Sequence, residues 1–276
     1  MNFTKAHGAG NDFVLFEDLE SSWTPTAGFV AAVCDRHTGV GADGIIRIAR
    51  SADADFFMDY WNADGRVAEM CGNGIRCLAR YLADRGLHHG DTMTVVTRAG
   101  VKHVTLLDDG RVRVDMGAPI LERAQIPLAG DGDPLHEKIE AQGYAFEAAC
   151  VSMGNPHCVL FLDAPVPVEQ LGPAIETLDV FPQRTNVEFT ELLSADEVRV
   201  RVWERGVGET QACGTGACAT AVAAHLRGLT GRAVAVHLPG GTLEVEWTDD
   251  TVLMTGPSEE AFEGELAPHL SALLKE

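Results

Sequence analysis

Hydrophobic and polar residues alternate with a period of two at several places along the chain. The alternation is strict in "RVRVDM" (Val112, Val114, Met116), in "VRVRVW" (Val198, Val200, Val202) and in "LEVEW" (Leu243, Val245, Trp247). Such runs predict strands with one buried and one polar face. Asp108-Asp109-Gly110 and Thr248-Asp249-Asp250 lie between strand runs, as hairpin turns do. After "EMCGNGIRC" (Glu69–Cys77) and after "QACGTGACA" (Gln211–Ala219) the period changes. Ile75, Leu78, Ala79 and Leu82 share one helical stripe, and Ala217, Ala221, Ala224 and His225 share another. Gly86 and Gly228 are placed to end these helices. Each half thus predicts many short antiparallel strands and one helix. A helix so apolar or alanine-rich belongs inside a curled sheet.

The two halves repeat one another. Cys71 and Cys213 are 142 positions apart, and Trp61 and Trp203 each lie ten residues before them. The residues after these tryptophans, Asn62 and Glu204, are both polar. "GNDFVLF" (Gly10–Phe16) corresponds to "GNPHCVLF" (Gly154–Phe161), and Thr94–Gly117 parallels Ala235–Gly256. Matches in the same order at nearly the same offset indicate a duplication. The linker between the halves is read as Gly117–His136, rich in Gly, Pro and Asp.

Composition narrows the function classes. With 41 acidic and 21 basic side chains the formal charge is −20. Such a surface repels phosphate backbones, so no nucleic-acid partner is expected. No apolar run reaches membrane-spanning length, and the N-terminus lacks the apolar stretch of a signal peptide. The expectation is a cytoplasmic protein with no membrane partner. The seven cysteines (34, 71, 77, 150, 158, 213 and 218) are odd in number, which fits reduced thiols better than a disulfide framework.

Cys71 and Cys213 admit several chemistries. The spacings Cys71…Cys77 and Cys213…Cys218 suit zinc poorly, and no metal is expected. Cys77 and Cys218 fall more than one turn inside the helices and read as core residues. Neither Gly-x-Gly is followed by the lysine of a Walker loop, and the third glycine of a dinucleotide fingerprint is missing. Each helix N-terminus can still hold one anionic group, such as a carboxylate. That same end favours thiolate. Two related thiols then suit inversion at carbon, if the halves face each other across a cleft. One thiolate removes a proton and the other thiol delivers one to the opposite face. The lysines (5, 102, 138 and 275) lie outside the glycine-rich repeated motifs, which argues against a pyridoxal Schiff base. No cofactor is expected.

Taken together, "HGAGNDFV", "GVGADG", "EMCGNGIRC", "VSMGNPHCV", "RTNVEF" and "ERGVGETQACGTGACA" resemble the diaminopimelate epimerase family over essentially the whole chain. The resemblance implies an α+β fold of two pseudo-symmetric domains, each an antiparallel barrel-like sheet wrapped around a central helix. It places residues 1–117 and 262–276 in one domain and 118–261 in the other. It implies a cofactor-free isomerase that interconverts LL- and meso-2,6-diaminoheptanedioate on the route to lysine and peptidoglycan, acting as a homodimer. Cys71 and Cys213 match the acid/base pair. Gly72 with Asn73, and Gly214 with Thr215, match the amides that hold the α-carboxylate. Asn11, Asn62, Asn155 and Asn186 match residues lining the substrate, and Glu204 and Arg205 match the pair at its amino and distal carboxylate groups. His157 and Glu204 match residues that tune the thiols.

Two positions depart from the family pattern. Gly44 stands where many members carry glutamine, and Arg66 where serine is frequent. The alternatives are a related racemase or epimerase acting on proline, hydroxyproline or another amino acid, and a non-catalytic amino-acid-binding protein. The residues leave the role of Arg76 open between a surface charge and a support of the site.

Overall fold

The computed structural model describes residues 1–275. The chain forms two compact units, Met1–Val114 with Gly256–Glu276, and Asp115–Thr255. Among the described residues no helix is long and apolar enough to cross a membrane.

The first unit opens with the antiparallel strands β1 (Asn2–Gly8) and β2 (Asn11–Glu17). Helix α1 (Ala27–Cys34) carries the chain to β3 (Gly44–Arg50), which lies parallel to β2. Strand β4 (Phe56–Asn62) returns antiparallel. Helix α2 (Gly72–Asp84) then leads to β5 (Thr92–Thr97), parallel to β4. Two antiparallel strands follow, β6 (Gly100–Leu106) and β7 (Val112–Gly117). Helix α2 packs against β1, β2, β3, β4 and β6. Its residues Ile75, Leu78, Ala79 and Leu82, the predicted stripe, are buried.

The second unit repeats this order. Strand β8 (Glu137–Ala141) pairs with β9 (Tyr144–Ser152), and β9 with β10 (Pro156–Leu162). Helix α3 (Val168–Glu176) crosses to β11 (Asn186–Leu192), parallel to β10, and β12 (Glu197–Glu204) returns antiparallel. The short β13 (Gly208–Thr210) folds back on β12 before α4 (Gly214–Leu226). Strand β14 (Ala233–Leu238) lies parallel to β12, and β15 (Gly241–Trp247) and β16 (Val252–Gly256) complete the meander. Helix α4 packs against β9, β10, β11, β14 and β15.

The end of the chain returns to the first unit. Strand β17 (Glu259–Glu265) pairs antiparallel with β1, as β8 pairs with β9. Helix α5 (Pro268–Ala272) then packs on α1. The return therefore begins at Gly256 rather than residue 262, because the edge of β1 is filled by the whole of β17. Glu276, the last residue of the terminal segment read from sequence, lies outside the described residues.

Two sequence expectations need correction. The sheets are mixed rather than wholly antiparallel. A connection that carries a helix brings the chain back in the same direction, so each helix crossover creates a parallel pair. Each unit also has a crossover helix besides its central one, α1 in the first and α3 in the second. The apolar run "FVAAVC" of α1 cannot be told from a buried strand by periodicity, and its helical state is supported by the Thr26 side chain, which accepts from Phe29 N at 3.2 Å. Pro173 inside α3 argues against a helix there, yet the chain tolerates it.

Both long helices end in the same motif. Gly86 N donates to Ala83 O and Leu87 N to Leu82 O, while Gly228 N donates to His225 O and Leu229 N to Ala224 O. Gly86 and Gly228 adopt φ of 63° and 70°, the left-handed conformation this termination requires.

Candidate active site

Cys71 and Cys213 are the N-cap residues of α2 and α4. Both have extended backbones, and their carbonyls accept from Ile75 N and Ala217 N at 2.9 Å. Each thiol therefore sits at the end of a helix whose first N–H groups lack intrahelical partners. Space explains the glycine three residues on. A Cβ at Gly74 would lie 2.8 Å from Ile46 Cδ1 and 2.9 Å from Met58 Cε. A Cβ at Gly216 would lie 2.8 Å from Glu188 Oε1 and 3.3 Å from Cys213 Sγ. Both positions are closely packed beneath the first helical turn, Gly74 against the movable ends of two side chains and Gly216 against Glu188 and the Cys213 sulfur.

In the first unit Asn11, at the start of β2, reaches the helix cap. Its Oδ1 lies 3.6 Å from Cys71 Sγ and accepts from Asn73 Nδ2 at 3.1 Å. The amide is oriented by its other end, because Nδ2 donates to Asp43 Oδ2 at 2.7 Å. Arg36 holds Asp43 Oδ1 at 2.8 Å and Asp12 Oδ1 at 2.7 Å. Burial raises the Asp12 carboxyl, but hydrogen bonds from Arg36 and Lys5 outweigh it and hold Asp12 well below the usual carboxylate range. Asp43 N–H donates to Asp12 O at 2.9 Å, and the Asp43 carbonyl accepts from Ala63 N at 2.9 Å, beside Asn62. Asn62 Oδ1 accepts from the Tyr60 hydroxyl at 2.7 Å. Asp43 and Arg36 are support residues that periodicity cannot reveal, since their partners are distant in sequence.

The two departures acquire physical meaning. A Cβ at Gly44 would collide with the Trp61 carbonyl oxygen and lie 2.7 Å from the Tyr60 ring. Glutamine has no room on this backbone, and the Tyr60 that crowds the position instead holds Asn62. Arg66 is exposed in the turn after β4, 3.6 Å from Asp64.

The second unit gathers its predicted residues more tightly. Asn155 Nδ2 donates to Thr215 Oγ1 at 3.3 Å, and Thr215 Oγ1 lies 3.5 Å from Cys213 Sγ. Gly216 N donates to the same sulfur at 3.4 Å. His157 Nε2 lies 3.0 Å from Asn155 Oδ1. Asn186 is engaged with backbone at both ends of its amide. Its Nδ2 donates to Pro156 O at 2.8 Å and its Oδ1 accepts from Arg205 N at 2.9 Å. Asn186 thereby ties the start of β10 to the end of β12. Arg205 Nη1 donates to Gln183 O at 3.2 Å, and the Thr210 hydroxyl donates to Glu204.

The electrostatics differ from the simple helix-end expectation. Burial, then the nearby Glu204 and Glu188 carboxyls, push the Cys213 thiol well above its ordinary value. The Thr215 hydroxyl and Gly216 N–H pull it down without compensating. Desolvation thus overrides the helix-end preference for thiolate. Burial also raises Glu204, against the Thr210 hydrogen bond and the pull of His157. Cys71 is partly accessible, whereas the other six cysteines are buried. Burial pushes the Cys77 thiol up to about 11. Among the described residues no group of three or more His, Cys, Asp or Glu side chains is arranged to hold a metal. Glu188, wholly buried against His157, lies inside "RTNVEF" and carries no signal that separates it from a strand residue.

Comparisons with known proteins bear on the whole chain. The family model "Diaminopimelate epimerase" matches residues 3–122 and 149–260. The diaminopimelate epimerase of Pelotomaculum thermopropionicum is 52% identical over 96% of this chain and 98% of its own. That of Moorella thermoacetica is 51% identical over 96% of this chain and 99% of its own. The crystal structure of a hydroxyproline epimerase from Agrobacterium vitis is similar in fold, with a TM-score of 0.69, 14% identity and coverage of 97% of this chain and 92% of that one. The repeated topology, the paired N-cap cysteines and these matches agree, and the chain belongs to the diaminopimelate epimerase family.

Proposed function

We propose that the chain is a cofactor-independent isomerase that interconverts LL- and meso-2,6-diaminoheptanedioate, with Cys71 and Cys213 as the proton carriers. The observation that carries this reading is the recurrence of one arrangement. In a chain of this family, each unit of the same topology caps its long helix with a cysteine. Inversion at the α-carbon needs a base for one face and an acid for the other. Two thiols in opposite protonation states meet that need and exchange roles when the reaction reverses. Cys213, raised by burial and by two carboxyls, enters as the thiol.

The supporting residues have definite tasks in this proposal. The amides of Gly72 and Asn73, and of Gly214 and Thr215, bind the α-carboxylate and stabilise the charge that develops when the proton leaves. Arg205 takes the distal carboxylate, which its planar fork can bind through both oxygens. Asn11, Asn62 and Asn155 supply polar contacts, and Asn186 holds Arg205 in register. Glu204 and His157 adjust Cys213, the first directly and the second through Asn155 and Thr215. The homodimer and the cytoplasmic location implied by the family resemblance are part of the same proposal; sedimentation velocity checks the former.

The test is deuterium incorporation at the α-carbon in D2O, with LL-diaminoheptanedioate set against proline and hydroxyproline. Exchange with the first alone supports the reading. Exchange confined to the cyclic amino acids overturns it.

A further inference from the structure

Glu188 lies on β11 with no assigned task. Its Oε1 is 2.6 Å from His157 Nδ1, and both side chains are fully buried. Its Oε2 is buried and has no hydrogen-bond partner among the described residues. It also sits beneath the first turn of α4, where the absent side chain of Gly216 leaves room for Oε1. A carboxyl group placed so deeply is costly unless it holds something in position.

The neighbours restrict where protons can be. With Asn155 Nδ2 donating to Thr215 Oγ1, Asn155 Oδ1 faces His157 Nε2 at 3.0 Å. An amide oxygen only accepts, so Nε2 carries a proton. The line between His157 Nδ1 and Glu188 Oε1 then holds one further proton, and the pair is neutral overall. A lone carboxylate or a lone imidazolium would be a net charge without water. The groups facing this pair are Glu204 from β12 and Cys213 from α4.

We propose that Glu188 is a positioning residue that keeps His157 protonated at Nε2, and so orients Asn155, Thr215 and the Cys213 thiol. This rests on the reading of Cys213 as a proton carrier. A hydrogen-bonded chain runs from Glu188 through His157, Asn155 and Thr215 to the sulfur, each link within 3.5 Å. If the ring turned over its protons, Asn155 would lose its donor and rotate away from Thr215. The thiol would lose a fixed direction for proton delivery.

The experiment has two independent arms. Nitrogen-15 NMR of histidine-labelled wild-type protein, with His157 assigned by its His157→Asn variant, reads the ring protonation without any substrate. A protonated Nε2 is expected, and an Nε2 without a proton overturns the proposal whatever the enzyme turns over. The second arm compares Glu188→Gln with Glu188→Leu in the epimerisation assay. Glutamine can donate to Nδ1 and preserve the Nε2–H form, so kcat is expected within about threefold of wild type; leucine cannot, and kcat is expected to fall about tenfold or more with KM little changed. Wild-type kcat in folded Glu188→Leu overturns the proposal. Should that variant fail to fold, the wild-type spectrum alone decides.

Discussion

Arg76 Nη2 donates to Asn73 Oδ1 at 2.9 Å, and the arginine side chain is wholly buried. Its Nη1 donates to Gly72 O at 3.1 Å and its Nε to Pro257 O at 3.2 Å. The residue whose role the repeat leaves open is therefore a fastener. It joins the start of α2 to the segment that returns from the second unit. Removing it strands buried acceptors and leaves a cavity. Arg76→Ala is expected to cost about 2–4 kcal/mol in urea unfolding. Arg76→Lys should recover only part, because an ammonium cannot reproduce the guanidinium's fork. Wild-type stability in Arg76→Ala would remove this assignment.

The glycines at the third position after each cysteine should respond differently to alanine. At Gly74 the new methyl meets the ends of Ile46 and Met58, which can move, and the helix gains propensity. At Gly216 it meets Glu188 and the Cys213 sulfur. Gly74→Ala should stay within about 1 kcal/mol of wild type, and Gly216→Ala should lose about 1–3 kcal/mol. Parallel denaturant curves for the two variants check the contrast.

Thiol reactivity should be selective. Cys71 is partly accessible and the other six cysteines are buried. Native protein treated briefly with iodoacetamide should carry one label, at Cys71 by peptide mapping, and lose turnover in step with it. Labelling first at another cysteine would contradict this picture.

Glu204 gives a pH dependence of defined sign. Its folded-state carboxyl is raised above the ordinary value, chiefly by burial. The folded chain holds that proton more tightly than the unfolded chain, so this contribution is full below the unfolded pKa, about 4.5. It is lost as pH rises through the folded value. Glu204→Gln removes the titration. The variant should therefore gain on wild type in thermal stability between pH 4 and pH 8, on the order of a few degrees. A stability difference that stays constant across that range would contradict the burial of Glu204.

Much of this organisation is legible in the sequence. The cysteine N-caps, the glycines that end both helices and the alternating strands leave local signals that need no distant partner. The parallel pairs do not, because strand direction is decided by the crossover between strands. Helices α1 and α3 are obscured by an apolar run and an internal proline. Asp43, Arg36 and Glu188 are hidden for a different reason. Each acts on a residue some tens of positions away, and only folding brings a carboxylate to Asn11 or to the His157 ring.

The central claim is that Cys71 and Cys213 are two proton carriers of one inversion. It is tested most directly by following LL-diaminoheptanedioate in D2O with Cys71→Ala and Cys213→Ala. Each variant is predicted to bind the substrate, measured by calorimetry, and to lose epimerisation by at least about a thousandfold. Epimerisation at the wild-type rate in either single variant would contradict the account.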